Sequence, residues 1–378
     1  MIEVASDTTA LAEQLRERIN RDGPITFRDW MQVALYDEVA GYYRSRHQIW
    51  GRKGDYRTSP ERSDLFAATF ARYFAGLYEQ LGKPRSFKLV EIGGGAGHFA
   101  FGVLQTLQAY FPQVFDATRC VFDEISAPAQ TVARQRLHGF ADCVEFASLD
   151  RVEINPGIVF SNELVDAFPV HRVTLSDGKL GEFYVTLDVD GQFAWKVGPP
   201  SSEQLAEYLR RHDISLREGQ VVEVNLETEV WLAKVAAKLR RGYLVTVDYG
   251  AEAVELYSSP ERAQGTLRGF QRHAFVENVL AAPGNTDLTS TINWTVMRTA
   301  GAALGLETVS FARQDQFLLS AGLLNQLELQ STNLSEAEKI RLRTAAREMI
   351  LPNGMAASFQ VLVQKTISER AFSGANGA

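Results

Sequence analysis

A carboxylate and three regularly spaced glycines follow an apolar run near residue 90. The stretch EIGGGAG places Glu91, Gly93, Gly95 and Gly97 at alternate positions. Glycines in a turn between a strand and a helix let the backbone approach a ligand closely. The sequence therefore predicts a nucleotide-type binding loop, and the alternative is a turn whose glycines only allow close packing.

Two ligands fit a loop of this composition. Counted from Gly95, it matches the Gly-x-Gly-x-x-Ala dinucleotide fingerprint, with Glu124 at a tolerable distance downstream. Gly95 lies two residues into the loop, however, and a start at Gly93 puts His98 where a small residue belongs. Glu91 would repel a pyrophosphate but suits the amino group and sulfonium of S-adenosylmethionine (SAM), and Glu124 can accept from both ribose hydroxyls. We therefore predict SAM rather than a dinucleotide.

A second set of polar residues lies in SNELVDAFPVHR, residues 161–172. If the methyl acceptor is a guanidinium, Glu163 and Asp166 can grip it bidentately, because one helical turn places residues three apart on one side. His171 could act as proton acceptor or orienter. Asp248 and Tyr249 end another strand, where Asp248 serves either the site or its own turn. Glu163, Asp166 and His171 are the predicted catalytic residues.

Short apolar runs alternate with helical stretches from residue 87 onward, and the runs are 87–92, 119–125, 144–147, 157–163 and 242–250. This alternation is typical of βαβ units and predicts an α/β fold with a mostly parallel sheet, which ends in a strand at 357–366. Two insertions interrupt it. Residues 171–198 carry Asp-Gly twice between apolar runs and predict an antiparallel meander, whereas 251–288 lack clear periodicity.

The first 85 residues are predicted to form a mainly helical lid region. Thr26 could cap one helix, and Ser59 followed by proline could begin another that ends near residue 82. Thr58 and Ser59 could also touch the cofactor from above. The predicted core then spans 86–366, and 367–378 are predicted to be a disordered tail.

At this point several motifs together resemble the MidA-like family of SAM-dependent methyltransferases. They are PITFRDWMQVAL, GYY, KGDYRTSPE, LVEIGGGAGHF, SNELVDAFPVHRV, VTVDYG, GTLRGFQRH and LPNGMAASFQVLVQK, in this order from about residue 23 to 366. The resemblance implies a Rossmann-like SAM-dependent methyltransferase core, an N-terminal helical lid and inserted segments that shape the acceptor site. The mitochondrial member of the family is a complex I assembly factor that methylates an arginine, so the implied acceptor is an arginine guanidino nitrogen of a protein.

The resemblance also implies roles for individual residues. Glycines 93, 95 and 97 would line SAM, Glu124 would hold its ribose, and Asn162 and Glu163 would lie near its methionine part or the acceptor. The predicted cofactor-binding residues are Glu91, Gly93, Gly95, Gly97, Glu124, Ser148, Leu149, Asn162, Thr58 and Ser59. No metal ligands are predicted.

The chain departs from the family pattern at several positions. Gly94 and Ala96 replace a proline and an arginine of the usual glycine loop, and Ala127 replaces a proline after EIS. Gly269 and Phe270 stand where a Cys-Tyr pair is common. These changes leave the SAM interpretation intact and leave the acceptor open.

Composition excludes several classes of protein. The 378 residues are 45% hydrophobic and 22% charged, as in ordinary globular proteins, and the net charge of -7 argues against nucleic acid as a partner. Cys120 and Cys143 are too few for a disulfide framework or a zinc site. We expect no signal peptide, no membrane span, a cytoplasmic location and a protein substrate, and a homodimer is compatible with the long insertions.

Three functions therefore stay open at the level of sequence. The first is a SAM-dependent methyltransferase that acts on a protein side chain, most plausibly arginine, or on a small molecule. The second is a SAM-binding or SAM-independent assembly protein that retains the methyltransferase fold. The third is a dehydrogenase, which the register of the glycines disfavours.

Overall fold

The computed structural model describes residues 2–44, 64–271, 274–332, 334–351 and 358–367. Residues 45–63 of the predicted lid region, which include Thr58 and Ser59, and the predicted tail beyond residue 367 lie outside these residues. The predicted first turn of the helix at Ser59 does so as well.

The strands, numbered in chain order, are β1 Ile25–Thr26, β2 Phe87–Ile92, β3 Thr118–Asp123, β4 Val144–Phe146, β5 Gly157–Asn162, β6 His171–Ser176, β7 Lys179–Leu187, β8 Phe193–Gly198, β9 Val221–Val224, β10 Gly242–Ala251, β11 Arg268–Gln271, β12 Ala274–Val276, β13 Asp287–Thr289, β14 Ile292–Asn293, β15 Leu306–Arg313 and β16 Phe359–Thr366. The α-helices are α1 Ile2–Asp22, α2 Phe27–Tyr36, α3 Asp64–Gln80, α4 His98–Tyr110, α5 Pro112–Ala117, α6 Ala127–Arg136, α7 Glu203–Arg211, α8 Glu227–Lys238, α9 Ala253–Ser258, α10 Trp294–Ala303, α11 Gln314–Ser320, α12 Leu323–Ser331 and α13 Glu336–Ile350. Short 3₁₀ turns include 149–151 and 165–167.

The main sheet has the strand order β15-β16-β10-β5-β2-β3-β4, and β14 also pairs with β10. The pairs among β10, β5, β2, β3 and β4 are parallel, whereas β16 pairs antiparallel with both β10 and β15. The chain runs outward from β2 through β3 to β4 and then returns to β5 on the other side of β2. The order of the strands therefore reverses between β2 and β5, and open α/β sheets bind their ligands at such a switch point.

A second sheet is antiparallel throughout, in the order β1-β7-β6-β9, with β8 on β7. The predicted meander at 171–198 supplies β6, β7 and β8, and the N-terminal region adds β1. A third, small sheet has the order β12-β11-β13. It forms mainly from residues 251–288, the insertion whose sequence lacks clear periodicity, and α9 lies in the same stretch.

Helices α1 and α2 pack on these additional sheets, whereas α3, although part of the predicted lid region, packs in the core of the main sheet against α4. Thr26 caps α2 by accepting a hydrogen bond from the amide of Asp29 at 3.1 Å, as predicted. The buried face of α2, which includes Trp30, lies in one apolar cluster with Val185 of β7 and Leu288 of β13. The first two helices and both insertions thus share one core.

Cys120 is buried and Cys143 partly exposed, and both are free thiols. No helix in the described part of the chain is long and apolar enough to cross a membrane. Within the same ranges, no three His, Cys, Asp or Glu side chains lie close enough together to hold a metal ion.

Candidate active site

The glycine loop leaves β2 at the switch point of the main sheet and leads into α4. Gly93, Gly95 and Gly97 all have positive φ, at 70°, 54° and 76°. Position 94 favours glycine for a different reason, because a Cβ there would lie 2.3 Å from the ring of Phe122. These backbone conformations favour glycine and keep the loop free of side chains.

Glu91 lies almost fully buried at the end of β2. Burial raises the pKa of its carboxyl to about 8, with a smaller contribution from the nearby charge of Glu124 and an opposing one from the backbone amide of Ala100. Its Oε2 atom is buried and has no hydrogen-bond partner in the structure. A buried acceptor in this state costs free energy unless a donor or a positive charge reaches it.

The carboxylates that follow β3 tie the glycine loop to the neighbouring strands. Glu124, which the sequence placed in the strand, comes directly after it. Its Oε2 accepts from the amide of Gly95 at 2.8 Å and its Oε1 from the amide of Ser126 at 2.7 Å. Burial raises the pKa of Glu124, and these hydrogen bonds oppose that rise. Each oxygen keeps a lone pair for a further donor.

Asp123 is a site residue that the sequence argument missed. It is the last residue of β3, and its Oδ2 accepts from the amide of Leu149 at 2.7 Å. Burial raises the pKa of Asp123, and the Leu149 hydrogen bond opposes the rise. The hydroxyl of Ser148 accepts from the amide of Asp150 at 3.4 Å and begins the 3₁₀ turn at 149–151. Ser148 and Leu149, the two predicted residues after β4, are thus joined to the end of β3 through Asp123. Asp123 and Glu124 are two carboxylates at this strand end, whereas one is enough to bind the two ribose hydroxyls.

Asn162 is the last residue of β5 and Glu163 follows it, on the opposite side of the switch point. The side-chain amide of Asn162 donates to Oε1 of Glu163 at 2.9 Å, and the Oδ1 atom of Asn162 is buried without a partner. Glu163 has a φ of 52°, in the left-handed region, and its amide donates to the carbonyl of Val247 at 2.9 Å. A left-handed conformation at a residue with a long side chain is uncommon and costs of order 1–3 kcal/mol. Such strain is typical of positions where function fixes the side chain.

Asp166 lies in the 3₁₀ turn at 165–167, three residues beyond Glu163, which itself lies outside that turn. It is buried, and its Oδ1 atom has no hydrogen bond of normal geometry. Desolvation raises the pKa of Asp166 to about 6, while Tyr249 and Arg268 act in the opposite direction. This carboxyl is thus a buried acceptor with a pKa near neutrality.

Asp248 resolves an alternative that the sequence left open. It is fully buried, and its Oδ2 accepts from the amides of Val165 and Asp166 at 3.0 and 3.3 Å. Its Oδ1 accepts from the amide of Tyr249 at 2.8 Å. Desolvation and the neighbouring Asp166 raise the pKa of Asp248. Asp248 therefore organises the turn that carries Asp166.

The N-terminal region reaches the same place through Tyr36 of α2. Its hydroxyl donates to the carbonyl of Ala167 at 2.9 Å, and burial together with the charges of Asp166, Asp287 and Glu124 raises its pKa. Tyr43 donates to Oδ1 of Asp287 at 2.6 Å. Neither tyrosine was predicted, because only the packing of α2 on the insertions brings them to the strand ends.

His171 is placed differently from the two carboxylates. It begins β6, and its Nδ1 atom lies 2.7 Å from Oε1 of Glu182, which is fully buried on β7. The other oxygen of Glu182 accepts from the amide of Ser201 at 2.6 Å. The contact fixes the imidazole to the antiparallel sheet.

Comparisons with known proteins agree with this geometry. Residues 69–312, more than half of the chain, match a family described as S-adenosyl-L-methionine-dependent methyltransferases. The chain belongs to this family. Its structure is similar to that of a candidate methyl transferase from Burkholderia thailandensis solved with bound S-adenosyl-homocysteine, with 29% identity, a TM-score of 0.84 and coverage of 96% of this chain and 93% of that one.

Two mitochondrial relatives are named as protein arginine methyltransferases. The NDUFAF7 homolog of Drosophila melanogaster is 28% identical over 315 residues, which cover 76% of this chain and 69% of that protein. Human NDUFAF7 is 26% identical over 316 residues, which cover 77% and 68%. The predicted family, the methyltransferase fold and the SAM cofactor are thus confirmed, and the dehydrogenase alternative is set aside.

The residues present suit a cationic adenosyl ligand. Three glycines of the loop have positive φ, and two buried acceptors without partners among the described residues, Oε2 of Glu91 and Oδ1 of Asn162, lie at the ends of the adjacent strands β2 and β5. When bound, SAM supplies a methyl group on a positively charged sulfur. Carboxylate and amide oxygens at the strand ends are the groups that stabilise such a charge.

Proposed function

We propose that this methyltransferase transfers a methyl group from SAM to a guanidino nitrogen of a protein arginine. The observation that carries the proposal is the pair Glu163 and Asp166, two carboxylates three residues apart after β5. Glu163 is held in a strained conformation, and Asp166 is buried with an unused acceptor atom. A guanidinium offers several N–H donors in a plane, which matches two carboxylates. The names of the mitochondrial relatives support the same acceptor.

The two carboxylates would have different roles in binding the acceptor arginine and in removing its proton. Both would accept N–H groups and so point one nitrogen at the cofactor. A nitrogen–carbon bond forms as the methyl group leaves sulfur, and the methylated nitrogen must release a proton. Asp166, whose pKa is about 6, is the acceptor we assign for that proton, and Glu163 is the orienting group.

The remaining predicted residues keep their proposed roles. The cofactor would be held by Glu91, Gly93, Gly95, Gly97, Glu124, Ser148, Leu149 and Asn162. Thr58 and Ser59 remain predictions, as do the cytoplasmic location and the homodimer. For His171 the contact with Glu182 favours the orienting role over that of proton acceptor.

The test compares Glu163→Gln with the wild-type protein. Each is incubated with methyl-labelled SAM and two peptide pools that are identical except that one carries arginine where the other carries lysine. We expect methylarginine from the wild type with the arginine pool only, and at least about a hundredfold less from the variant, the size of effect found when a group acting in the transition state is removed. Calorimetric titration with S-adenosylhomocysteine should give equal affinities for the two proteins. Glu307→Gln, an exposed change on β15, is the matched control.

Three results would overturn this proposal. Label on lysine or on a small molecule would assign another acceptor. Full activity of Glu163→Gln would remove Glu163 from the chemistry. Saturable binding of S-adenosylhomocysteine without transfer to any acceptor would indicate the alternative, an assembly protein that retains the methyltransferase site.

A further inference from the structure

Arg268 is brought to the predicted acceptor side by the small third sheet. Its strand β11 pairs with β13, with Arg268 opposite Thr289. The Nη2 atom of Arg268 donates to the hydroxyl of Thr291 at 3.2 Å, and its guanidinium carbon lies 4.7 Å from the centre of the Tyr249 ring. Between the two threonines, the amide of Ser290 donates to the carbonyl of Asp166 at 2.9 Å. One short segment therefore holds both Arg268 and the turn of Asp166.

The elements around Asp166 contribute two carboxyl groups and two phenols. Strand β10 contributes Asp248 and Tyr249, and the end of β5 contributes Glu163. Helix α2 contributes the phenol of Tyr36, whose own pKa is raised by Asp166. Burial raises the pKa of Asp166, whereas the hydroxyl of Tyr249 and, to a smaller extent, the positive charge of Arg268 lower it.

The contacts of Arg268 do not amount to an ordinary ion pair. Among the described residues, no nitrogen of Arg268 lies within 4.0 Å of a carboxylate oxygen, and its Nε atom is buried without a partner. The ring of Tyr249 and the hydroxyl of Thr291 fix the guanidinium instead, by a cation–π contact and a hydrogen bond. Arg268 thus leaves Oδ1 of Asp166 without a guanidinium partner, while Tyr249 and the positive charge of Arg268 both lower the pKa of Asp166.

We propose that Arg268 is a positioning residue for methyl transfer: it holds Asp166 as an anion beside the acceptor without taking up the oxygen that the acceptor needs. This inference rests on the proposed function, because it assigns Asp166 to the acceptor. A protonated Asp166 would have lost the negative charge that grips a guanidinium and could not take the released proton. Removal of Arg268 should therefore impair transfer most where protonation of Asp166 is easiest.

The first experiment measures kcat/KM for the arginine peptide pool between about pH 5.5 and 9. Arg268→Gln should shift the acidic limb of the profile upward by about one pH unit, which is about a tenfold loss on that limb and much less at alkaline pH. Arg268→Lys keeps the charge and should restore most of the wild-type profile. Arg298→Gln is the control for removal of an arginine over an aromatic ring, because Arg298 lies over Phe311 at 5.1 Å and also has a buried Nε atom without a partner, whereas its charge is paired with Glu252 at 2.7 Å. An equal loss at every pH in Arg268→Gln would overturn the inference.

A second experiment does not depend on catalysis. The interaction of Arg268 with Asp166 exists only while Asp166 is ionised, so it stabilises the fold above its pKa and disappears as the pH falls below it. The melting temperature of Arg268→Gln should therefore fall further below that of the wild type at pH 8 than at pH 5, and the difference should vanish in an Asp166→Asn background. A deficit that is the same at both pH values, or that persists in Asp166→Asn, would overturn the inference. Methyl transfer to lysine in place of arginine, with the pH effects intact, would overturn only the proposed acceptor.

Discussion

Glu91 makes the affinity for SAM depend on pH. Its pKa is about 8 because the carboxyl is buried, so at pH 7 about one molecule in eleven carries the charge. If the ionised form binds the cationic cofactor, the apparent affinity should rise about tenfold between pH 7 and pH 9, which is about 1.4 kcal/mol. Binding at pH 7 should also release close to one proton from Glu91.

The assay is calorimetric titration with SAM at pH 7 and 9, in buffers of different ionisation enthalpy. The α-amino group of the ligand titrates near pH 8 as well, and Glu91→Gln separates the two effects because the ligand is the same in both proteins. The variant should lose the tenfold rise and bind more weakly than the wild type at pH 9. Equal pH dependence and equal affinity in the two proteins would refute the assignment of Glu91 to the cofactor.

The stability of the ligand-free protein gives an independent check on the same pKa. The folded-state pKa lies above the usual value of a glutamate, so the protonated carboxyl favours folding at low pH, and this contribution is lost as the pH rises through about 8. Glu91→Gln removes the charge that must be buried at alkaline pH. We expect the variant to melt at a higher temperature than the wild type at pH 9 and to differ less at pH 5.

Three further substitutions test individual contacts. Glu163→Gly should raise the free energy of unfolding by about 1 kcal/mol, since glycine adopts the positive φ without strain. The same variant should abolish methyl transfer. A loss of stability in chemical denaturation would argue against strain at this position. Gly94→Ala should lower both the melting temperature and SAM affinity, because the new Cβ meets the Phe122 ring at 2.3 Å, and Phe122→Leu should restore part of both. His171→Gln should lower the free energy of unfolding by about 1–3 kcal/mol, because it weakens the contact with buried Glu182, and should leave kcat within about threefold of the wild-type value. A large loss of kcat at unchanged stability would make His171 the proton acceptor.

The strands of the parallel sheet were predictable because they are buried on both faces. Uninterrupted apolar runs gave β2, β5 and β10 to within one residue at each end. Strand β15, LETVSFAR, was not predicted because it lies at the edge of the sheet and several of its side chains are exposed. Strand β9 has only four residues and carries too little periodicity to be recognised.

A residue of the candidate site could be predicted from the sequence where its type and its position at the end of a strand were enough to suggest its role. Glu91, the glycines and Glu163 are of that kind. The conformation of Glu163 was not predictable, because nothing in SNELVDAF marks a left-handed glutamate. The function of Asp248 was not either, since an aspartate at a strand end can serve a ligand or the backbone, and only the three amide hydrogen bonds to its carboxylate decide between them.

The predicted cofactor residues and some of the residues around the predicted acceptor site come from different parts of the fold. This separation explains how the acceptor site can depart from the family pattern without loss of SAM binding. The cofactor residues end strands of the parallel sheet, whereas Arg268 and Tyr36 come from segments outside it. The unusual Gly269 follows Arg268, and a Cβ there would lie 3.0 Å from Thr286 and 3.2 Å from Val279. The larger residue common in the family would therefore force these neighbours apart and move β11 together with Arg268. A larger residue at position 269 would therefore move the charge of Arg268 relative to Asp166, so the acceptor is the property we expect to differ among relatives.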